Sequence, residues 1–169
     1  MSDNGQDITI GNQQERQHFK IGYILGLIDG EGHLGLRSDR QANGHITYSP
    51  ILQVACTDFK IINQFAKYMG ELGFSICLYE IKGKGFHRKS LRFYLRGMKR
   101  IEPILTLLLQ YPFAKHKQAE ILKQYIDYRK SNSMKRLYGI VEKSFKDKMT
   151  DLNRRASAKS SETIRSGAT

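Results

Sequence analysis

Apolar and polar residues alternate along two segments between residues 33 and 56. Leu34 and Leu36 occupy one face of a predicted strand, and polar side chains occupy the other. Asn43-Gly44 follows, a dipeptide typical of tight turns between antiparallel strands. The return strand contains Pro50, which cannot donate a ladder hydrogen bond and therefore predicts a sheet edge or a bulge. We predict that this segment is a β-hairpin.

A second hairpin is predicted from residue 74 to residue 96, around Gly83-Lys84-Gly85. In its return strand Leu91, Phe93 and Leu95 alternate with polar and mostly basic residues. The first strand has apolar residues on both faces, so its register stays open at this point. The hairpin is therefore expected to have one apolar face and one basic face.

Helical spacing of apolar residues precedes and follows the hairpins. Asp58 is a suitable N-cap for one helix, and Gly73 is a suitable stop. The predicted helices span residues 19–28, 58–72, 100–110, 115–130 and 134–150. This order predicts an α+β fold of the αββαββα type, in which helices cover the apolar face of a four-stranded antiparallel sheet and additional helices follow toward the C-terminus.

The two ends of the chain are polar. Residues 1–17 are expected to be a flexible N-terminal arm, because they lack apolar periodicity. Residues 18–153 are expected to fold as a domain, and residues 154–169 as a basic C-terminal tail. The length of 169 residues suits one domain of ordinary size.

Basic residues outnumber acidic ones by 28 to 16, which gives a formal net charge of +12. Residues 33–100 alone carry twelve basic and four acidic side chains. Because most of them lie in predicted strands, they predict a basic sheet face that attracts a polyanion. A two-stranded ribbon fits the major groove of B-DNA, which favours DNA as the partner, although the charge alone is also compatible with RNA.

The chain offers no candidate for a membrane partner. Its apolar runs are far shorter than the roughly 20 residues of a transmembrane helix, and no signal peptide is visible. Cys56 and Cys77 form neither a disulfide framework nor a CxxC zinc pair. We therefore expect an intracellular, reducing location.

A glycine-rich and acidic stretch near residue 30 carries the strongest candidate chemistry. Gly22, Gly26 and Gly30 recur every four residues and clear one helix face for close approach of another backbone. Asp29 and Glu31 lie at the predicted helix C-terminus, where the macrodipole disfavours negative charge and a divalent cation would compensate. On spacing alone, the pattern is also that of a core helix ended by incidental acidic residues.

Ile24–Gly32 resembles the LAGLIDADG signature of homing endonucleases. The identical positions are Gly26, Leu27, Ile28, Asp29 and Gly32, and Glu31 replaces the last acidic residue with the same charge. Lys115-His116-Lys117-Gln118-Ala119 resembles the K-x-K-Q-A segment of the single-motif, chloroplast-type enzymes. Leu152-Asn153 and residues 161–165 resemble their C-terminal segment, and the αββαββα order is similar to theirs.

The resemblance implies which residues carry the chemistry. In this family the last acidic residue of the signature and the preceding carbonyl bind a divalent metal, which implies that Glu31 and Gly30 do so here. Mg²⁺ is the implied cofactor because it prefers hard oxygen ligands, with Mn²⁺ or Ca²⁺ able to substitute for binding. Glu31, Lys115 and Lys60 are the implied catalytic residues, with Lys115 near the scissile phosphate. Cys56 replaces a glutamine of a relative, and we expect it to pack rather than to react.

The single signature implies a homodimer in which two signature helices pack together at Gly22, Gly26 and Asp29. Such an enzyme binds a long near-palindromic site in double-stranded DNA and hydrolyses one phosphodiester in each strand across the minor groove. It leaves short 3′ overhangs. The implied biological role is intron homing, in a prokaryotic cytoplasm or in an organelle such as a chloroplast or mitochondrion.

DNA contacts are expected from side chains on the polar face of the sheet. Strand alternation gives His33, Arg37, Asp39, Gln41, Thr47, Ser49, Gln53, Arg88, Ser90, Arg92, Tyr94 and Arg96, and the neighbouring strand adds Lys82 and Lys84, whose facing depends on the open register. The resemblance adds Arg154, Arg155 and Lys159 as phosphate contacts of the tail.

Two other functions stay open for the same fold. The first is an RNA maturase that assists intron splicing, and the second is a DNA-binding regulator without catalysis. The acidic group of Glu31 favours the nuclease, whereas its extra methylene relative to aspartate favours the regulator. A generic RNA-binding protein is disfavoured, because the sheet lacks the stacked aromatics of an RRM and no Gly-x-x-Gly clamp lies between helices.

Overall fold

The computed structural model describes residues 5–83, 88–132 and 139–166, and the side chains of residues 12–83, 88–132 and 139–154. Along these residues the elements are α1 (Gly5–Glu31), β1 (Gly32–Arg40), β2 (Ile46–Cys56), α2 (Phe59–Glu71), β3 (Leu78–Ile81), β4 (Ser90–Arg96), α3 (Met98–Leu108), α4 (His116–Ser131) and α5 (Ile140–Ser166). The order confirms the predicted α+β fold with two hairpins, each preceded by a helix, and additional helices after the second.

The four described strands form one antiparallel sheet in the order β1-β2-β4-β3. The loop between β1 and β2 contains Gly44 at a φ of 82°, a left-handed conformation that glycine adopts without strain. The Gly44 N–H donates to the Gln41 carbonyl at 2.9 Å, which closes the turn. The Asn43-Gly44 signal for a hairpin turn is therefore confirmed.

Pro50 lies in β2, an internal strand, so the prediction of a sheet edge is wrong. Burial does not alternate here, because Ile51 is buried together with Pro50 and Leu52, and the alternative of a bulge stays a prediction. The Gly97 N–H donates to the Pro50 carbonyl at 3.0 Å. In an antiparallel pair the N–H and C=O of one residue face the same neighbour. The missing donor of Pro50 thus faces Gly97, just past the end of β4.

Two helices are longer than their apolar patterns predicted. α1 begins at Gly5, so the described part of the expected flexible arm, residues 5–17, is helical. α5 runs from Ile140 to Ser166, so residues 154–166 of the expected tail continue a helix. Both extensions are rich in good helix formers such as Gln, Glu, Arg, Lys and Ala and contain no proline, which permits a helix without an apolar stripe. None of the described helices has both the length and the apolar content to cross a membrane.

The chain divides into two compact units. The motif unit lies within Met1–Gly32 and Val54–Phe93, and the helical unit lies within His33–Gln53 and Tyr94–Thr169. In the motif unit α2 buries an apolar face, and the Phe65 ring meets the Phe93 ring edge to face with centroids 5.0 Å apart. Gly73 follows α2 at a φ of 83°, as expected of a helix stop.

In the helical unit α4 packs against both α3 and α5. The buried Tyr125 hydroxyl donates to the Tyr48 carbonyl at 2.7 Å and so joins α4 to β2. α5 covers the edge strand β1, because Lys146 Nζ donates to the Leu36 carbonyl at 2.6 Å and Asn153 Nδ2 donates to the Leu34 carbonyl at 3.1 Å. These bonds use outward carbonyls of β1 that would otherwise offer an open edge for further strand pairing.

Candidate metal site and nucleic-acid interface

α1 carries a buried stripe and an open glycine face. Ile24 and Ile28 are buried, with exposures of 1% and 0%. Gly22, Gly26 and Gly30, which we call the glycine face, are exposed. A Cβ built on any of these three glycines would meet no atom within 4 Å among the described residues. The structure therefore presents the predicted close-approach surface as one smooth face of a helix.

The end of α1 is set by Gly32. A Cβ at Gly32 would lie 2.5 Å from the Ile28 carbonyl oxygen and 2.7 Å from the Ile28 Cα, so a larger residue does not fit there. The chain leaves the helix at this residue and enters β1 directly. Glu31 is thus the last residue of α1, and its side chain is exposed.

Glu31 and Gly30 provide the oxygen donors that a hard divalent cation requires. The last four carbonyls of a helix lack intrahelical donors, so the Gly30 carbonyl has no helical partner. A carboxylate and a carbonyl match the preference of Mg²⁺ for oxygen ligands. No group of three His, Cys, Asp or Glu side chains in the described part of the chain is placed to hold a metal ion. Glu31 and Gly30 therefore fit an ion such as Mg²⁺, which retains several waters and takes one or two protein carboxylates.

The two candidate lysines lie in different units. Lys60 is exposed in the first turn of α2, in the motif unit, and its backbone N–H donates to Asp58 Oδ1 at 2.8 Å. The Asp58 N–H in turn donates to Cys56 Sγ at 3.4 Å, so Cys56 supports the cap of α2. Lys115 is half-buried at the N-cap position of α4, in the helical unit. Each lysine is therefore positioned by the start of a different helix, Lys60 by α2 and Lys115 by α4.

His33 is half-buried on β1, and its ring lies over Gly35. A Cβ at Gly35 would lie 2.6 Å from His33 Nε2, so glycine provides the space for the imidazole. Burial lowers the pKa of the His33 imidazole, and the charges of Lys146 and Lys115 lower it further. His33 therefore shares its surroundings with two cations and favours its neutral ring. The role of Lys146 was not predicted. Its helix has no clear apolar stripe, so the sequence does not indicate which side of the helix packs against the sheet.

Several predicted DNA contacts form one group of interacting side chains, which we call the Asp39 cluster. Its members are Arg37, Asp39, Ser49, Tyr94 and Arg96. Arg37 Nε donates to Asp39 Oδ1 at 3.0 Å, and Arg96 Nη2 donates to Asp39 Oδ2. Arg96 Nη2 also donates to Ser49 Oγ at 3.3 Å. The interaction with Tyr94 raises the pKa of the Arg37 guanidinium, and the charge of Asp39 raises it further.

A second chain of bonds continues from this cluster. Gln41 Nε2 donates to Thr47 Oγ1 at 3.2 Å, and the Thr47 hydroxyl donates to the Asp39 carbonyl at 3.4 Å. These side chains are exposed or half-buried, and Gln53 further along β2 is half-buried. The structure thus brings predicted readers from β1, β2 and β4 together within the helical unit.

The register of β3 against β4 shows which side chains of β3 lie on the same face as the arginines of β4, which the sequence left open. Tyr79 lies opposite Arg92, and Ile81 lies opposite Ser90, so these four residues share one face. Arg92 Nη1 donates to the Tyr79 hydroxyl at 3.3 Å, and its guanidinium lies 5.7 Å from the Tyr79 ring centroid. Tyr79 therefore belongs to the polar face, although the alternation within β3 was too weak to predict it.

The remaining predicted contacts are scattered or lie outside the described residues. Lys82 lies just after β3 and Arg88 lies shortly before β4, and both are exposed. Arg154 is exposed on α5 and pairs with Asp151 at 3.1 Å. Lys84 and the side chains of Arg155 and Lys159 lie outside the described residues, so their contacts stay predictions.

Comparison with known proteins gives a structural likeness. The sequence matches no protein-family model and no curated protein. The fold is similar to the archaeal intron-encoded homing endonuclease I-Vdi141I complexed with DNA, with a TM-score of 0.61, 16% identity, and 80% of this chain and 84% of that chain covered.

Two further structures are similar at comparable identity. The homing endonuclease I-CvuI in complex with its target has a TM-score of 0.58 at 17% identity, with 70% of this chain and 72% of that chain covered. It was solved in the presence of Ca, and a complex of I-CvuI with another target was solved in the presence of Mg. The LAGLIDADG meganuclease I-CpaMI bound to uncleaved DNA has a TM-score of 0.52 at 19% identity, with 67% and 39% covered.

At these identities the likeness concerns the fold. It agrees with the position of Ile24–Gly32 at the end of α1, directly before the first strand of the sheet. This chain has the fold of the LAGLIDADG homing endonucleases.

Proposed function

We propose that this protein is a site-specific double-strand DNA endonuclease of the homing type. The observation that carries the proposal is the position of Glu31. Its exposed carboxylate ends α1 beside the open glycine face, and the polar strand β1 begins at the next residue. An exposed carboxylate at this point is suited to hold a cation against a DNA phosphate.

The metal site uses few protein ligands. Glu31 and the Gly30 carbonyl would hold Mg²⁺, with Mn²⁺ or Ca²⁺ substituting for binding. When bound, the ion supplies Lewis-acid stabilisation of charge on the scissile phosphate and lowers the pKa of a nucleophilic water. The solved I-CvuI complexes, obtained in the presence of Mg or Ca, support a divalent cation.

The two lysines provide fixed positive charge for the phosphate. The Lys60 side chain is exposed, and the Asp58 cap fixes its backbone position at the start of α2. Lys115 is half-buried at the N-cap position of α4, so its side chain has less freedom than that of the exposed Lys60. In this proposal both stabilise the negative charge that develops at the phosphate or orient the attacking water.

Cleavage of both strands requires two such sites. Each chain supplies one signature, so we propose a symmetric homodimer whose glycine faces pack together, with Asp29 at the same interface. A two-fold dimer binds a near-palindromic DNA site and places one Glu31 on each strand. We propose that the two cuts lie across the minor groove and leave short 3′ overhangs.

The polar face of the sheet is the proposed reader of the DNA site. Arginine, glutamine, serine and tyrosine side chains of β1, β2 and β4 supply hydrogen bonds to base edges and to phosphates. In the motif unit, Arg92 and Tyr79 are a further pair of candidate readers. The solved complexes of similar fold contain DNA, which supports DNA as the partner.

A cleavage selection tests the proposal. A randomised near-palindromic DNA library is incubated with wild type and Mg²⁺, with wild type and EDTA, and with Glu31→Gln and Mg²⁺. The proposal expects a cut consensus only in the first reaction. Glu71→Gln is the matched control, because it removes one exposed carboxylate of the motif unit that pairs with Lys20, and it should cleave like wild type.

If wild type binds a consensus sequence without cutting it, the proposal of a nuclease is wrong and the DNA-binding regulator is favoured. Binding of structured intron RNA with restored splicing, and no DNA cleavage, would favour the maturase.

A further inference from the structure

Asp39 occupies the centre of the Asp39 cluster on the polar face of the sheet. Its two carboxylate oxygens accept from arginines on different strands, Arg37 on β1 and Arg96 on β4. The side chain of Asp39 is 22% exposed, whereas those of Arg37 and Arg96 are 55% and 39% exposed. The arginines therefore reach further toward solvent than the carboxylate that holds them.

We infer that Asp39 is a positioning residue that holds Arg37 and Arg96 in the geometry with which they read bases, and that it does not read a base itself. The inference rests on the proposed function, because it assumes that this face binds a specific DNA site. It changes the role that strand alternation alone assigned to Asp39.

Arg96 has an additional partner that completes the arrangement. Its Nη2 is shared between Asp39 and Ser49, whereas Arg37 Nε donates to Asp39. Each guanidinium is thus held by Asp39 before DNA binds. Fewer rotamers then have to be frozen on binding, which favours the bidentate contact of arginine with guanine.

Charge gives Asp39 a second effect. Two arginines beside one carboxylate carry a local net charge of one rather than two. Unpaired arginines bind phosphates of any sequence, and each phosphate contact strengthens salt-dependent, non-specific binding. Asp39 should therefore weaken non-specific binding while it preserves the specific contacts.

Direct readout by Asp39 makes a different prediction. A carboxylate that accepts from the N4 amino group of cytosine discriminates at one base pair. Loss of a carboxylate that positions two arginines should instead relax discrimination at two base pairs, since Arg37 and Arg96 lie on different strands of the sheet. The two roles therefore differ in the number of base pairs affected.

The experiment compares Asp39→Asn with wild type and with Asp127→Asn. Asp127 is an exposed carboxylate on α4 that pairs with Lys123 in the same unit, so it controls for the loss of one charge. The consensus site is first determined by binding selection with wild type in Ca²⁺. Affinities are then measured for the consensus, for every single base-pair variant, and for an unrelated duplex at several salt concentrations.

Asp39→Asn should bind the unrelated duplex more tightly and with a steeper salt dependence, by up to about one phosphate contact. Its discrimination should fall about fivefold to tenfold at two base pairs in each half-site. Ser49→Ala should lose discrimination at only one of the same two, the base pair read by Arg96. Asp127→Asn should match wild type.

Loss of discrimination at a single base pair in Asp39→Asn, with unchanged non-specific affinity, would overturn the inference in favour of direct readout. Unchanged discrimination at every base pair would also overturn it. The ¹⁵N–¹H signal of Arg37 Nε reports the cluster without DNA, and it should shift in Asp39→Asn and stay in place in Asp127→Asn. If wild type selects no consensus sequence at all, the proposed function is wrong. If wild type selects a consensus and Asp39→Asn discriminates like wild type, only the inference about Asp39 is wrong.

Discussion

Arg129 on α4 donates to Glu142 on α5 at 2.9 Å, and both side chains are almost completely buried, with 9% and 3% of their surface exposed. The second oxygen of Glu142 accepts from the Gly139 N–H at 2.8 Å. The pair therefore attaches the start of α5 to α4. A buried charge left without its partner is expensive, because its hydration is lost and nothing replaces it.

Arg129→Met should destabilise the protein by about 3 kcal/mol, because it leaves the Glu142 carboxylate buried without a counter-charge. The double variant Arg129→Met with Glu142→Leu should recover a large part of that loss, since it removes both charges. Chemical denaturation measures both effects. Equal stability of the single and double variants would show that the unpaired charge is not the cause.

The same pair predicts a dependence of stability on pH. Burial alone would raise the pKa of Glu142, but hydrogen bonds from the N–H groups of Gly139 and Glu142 and from Arg129 lower it overall. A lowered folded-state pKa contributes stability above the ordinary value near 4.5, and that contribution is lost as the pH falls through the folded value. Unfolding free energies of wild type should therefore decline below about pH 4.5 more steeply than those of Glu142→Gln.

The glycine face predicts opposite effects on folding and on assembly. Gly26→Leu should leave the folded chain as stable as wild type or more stable by about 1 kcal/mol, because leucine is the better helix former and its Cβ meets no described atom within 4 Å. It should prevent the proposed dimer, because two helices can no longer approach closely. Sedimentation measures the mass, and thermal unfolding measures the stability. Asn63→Leu on the exposed side of α2 is the matched control and should stay dimeric.

The attachment of α5 to β1 predicts a local effect. Lys146→Met removes the bond to the Leu36 carbonyl and should cost about 1–2 kcal/mol, because that bond is charge-assisted and half-buried. Hydrogen exchange should become faster along α5. Lys143→Met is the control. Lys143 pairs with Asp147 one turn along the exposed surface of α5, so its loss should cost less than about 0.5 kcal/mol. Equal protection of α5 in both variants would contradict the role of Lys146.

The cap of α2 predicts a graded series. Asp58→Ala should destabilise the protein by about 1 kcal/mol, because the Lys60 N–H then loses its acceptor at the first turn. Asp58→Asn should cost much less, since an amide oxygen can accept the same bond. Urea unfolding resolves the difference. If both substitutions had the same cost, the charge rather than the hydrogen bond would explain it.

Local patterns predicted most of the elements. The alternation around Leu34 and Leu36 and the Asn43-Gly44 turn sufficed for the first hairpin, because strand period and turn chemistry act over a few residues. Asp58 and Gly73 sufficed for the ends of α2 for the same reason. The signature at Ile24–Gly32 predicted the helix end that carries Glu31. The chain leaves α1 at Gly32, where a side chain would collide with the Ile28 backbone.

Other features depend on contacts between distant residues. The order of the strands placed Pro50 inside the sheet, where its missing donor faces Gly97 beyond the end of β4. The register of β3 placed Tyr79 beside Arg92. Helix propensity without an apolar stripe extended α1 and α5, which a search for periodicity could not detect.

By itself, the sequence determined the α+β order of elements, the open glycine face and the acidic end of α1, because each of these follows from residues close together in the chain. Only the tertiary structure decided that Asp39 accepts from both Arg37 and Arg96, residues on two strands that the sheet brings together. Alternation assigns a side chain to a face, but its partners on that face depend on the order and register of the strands.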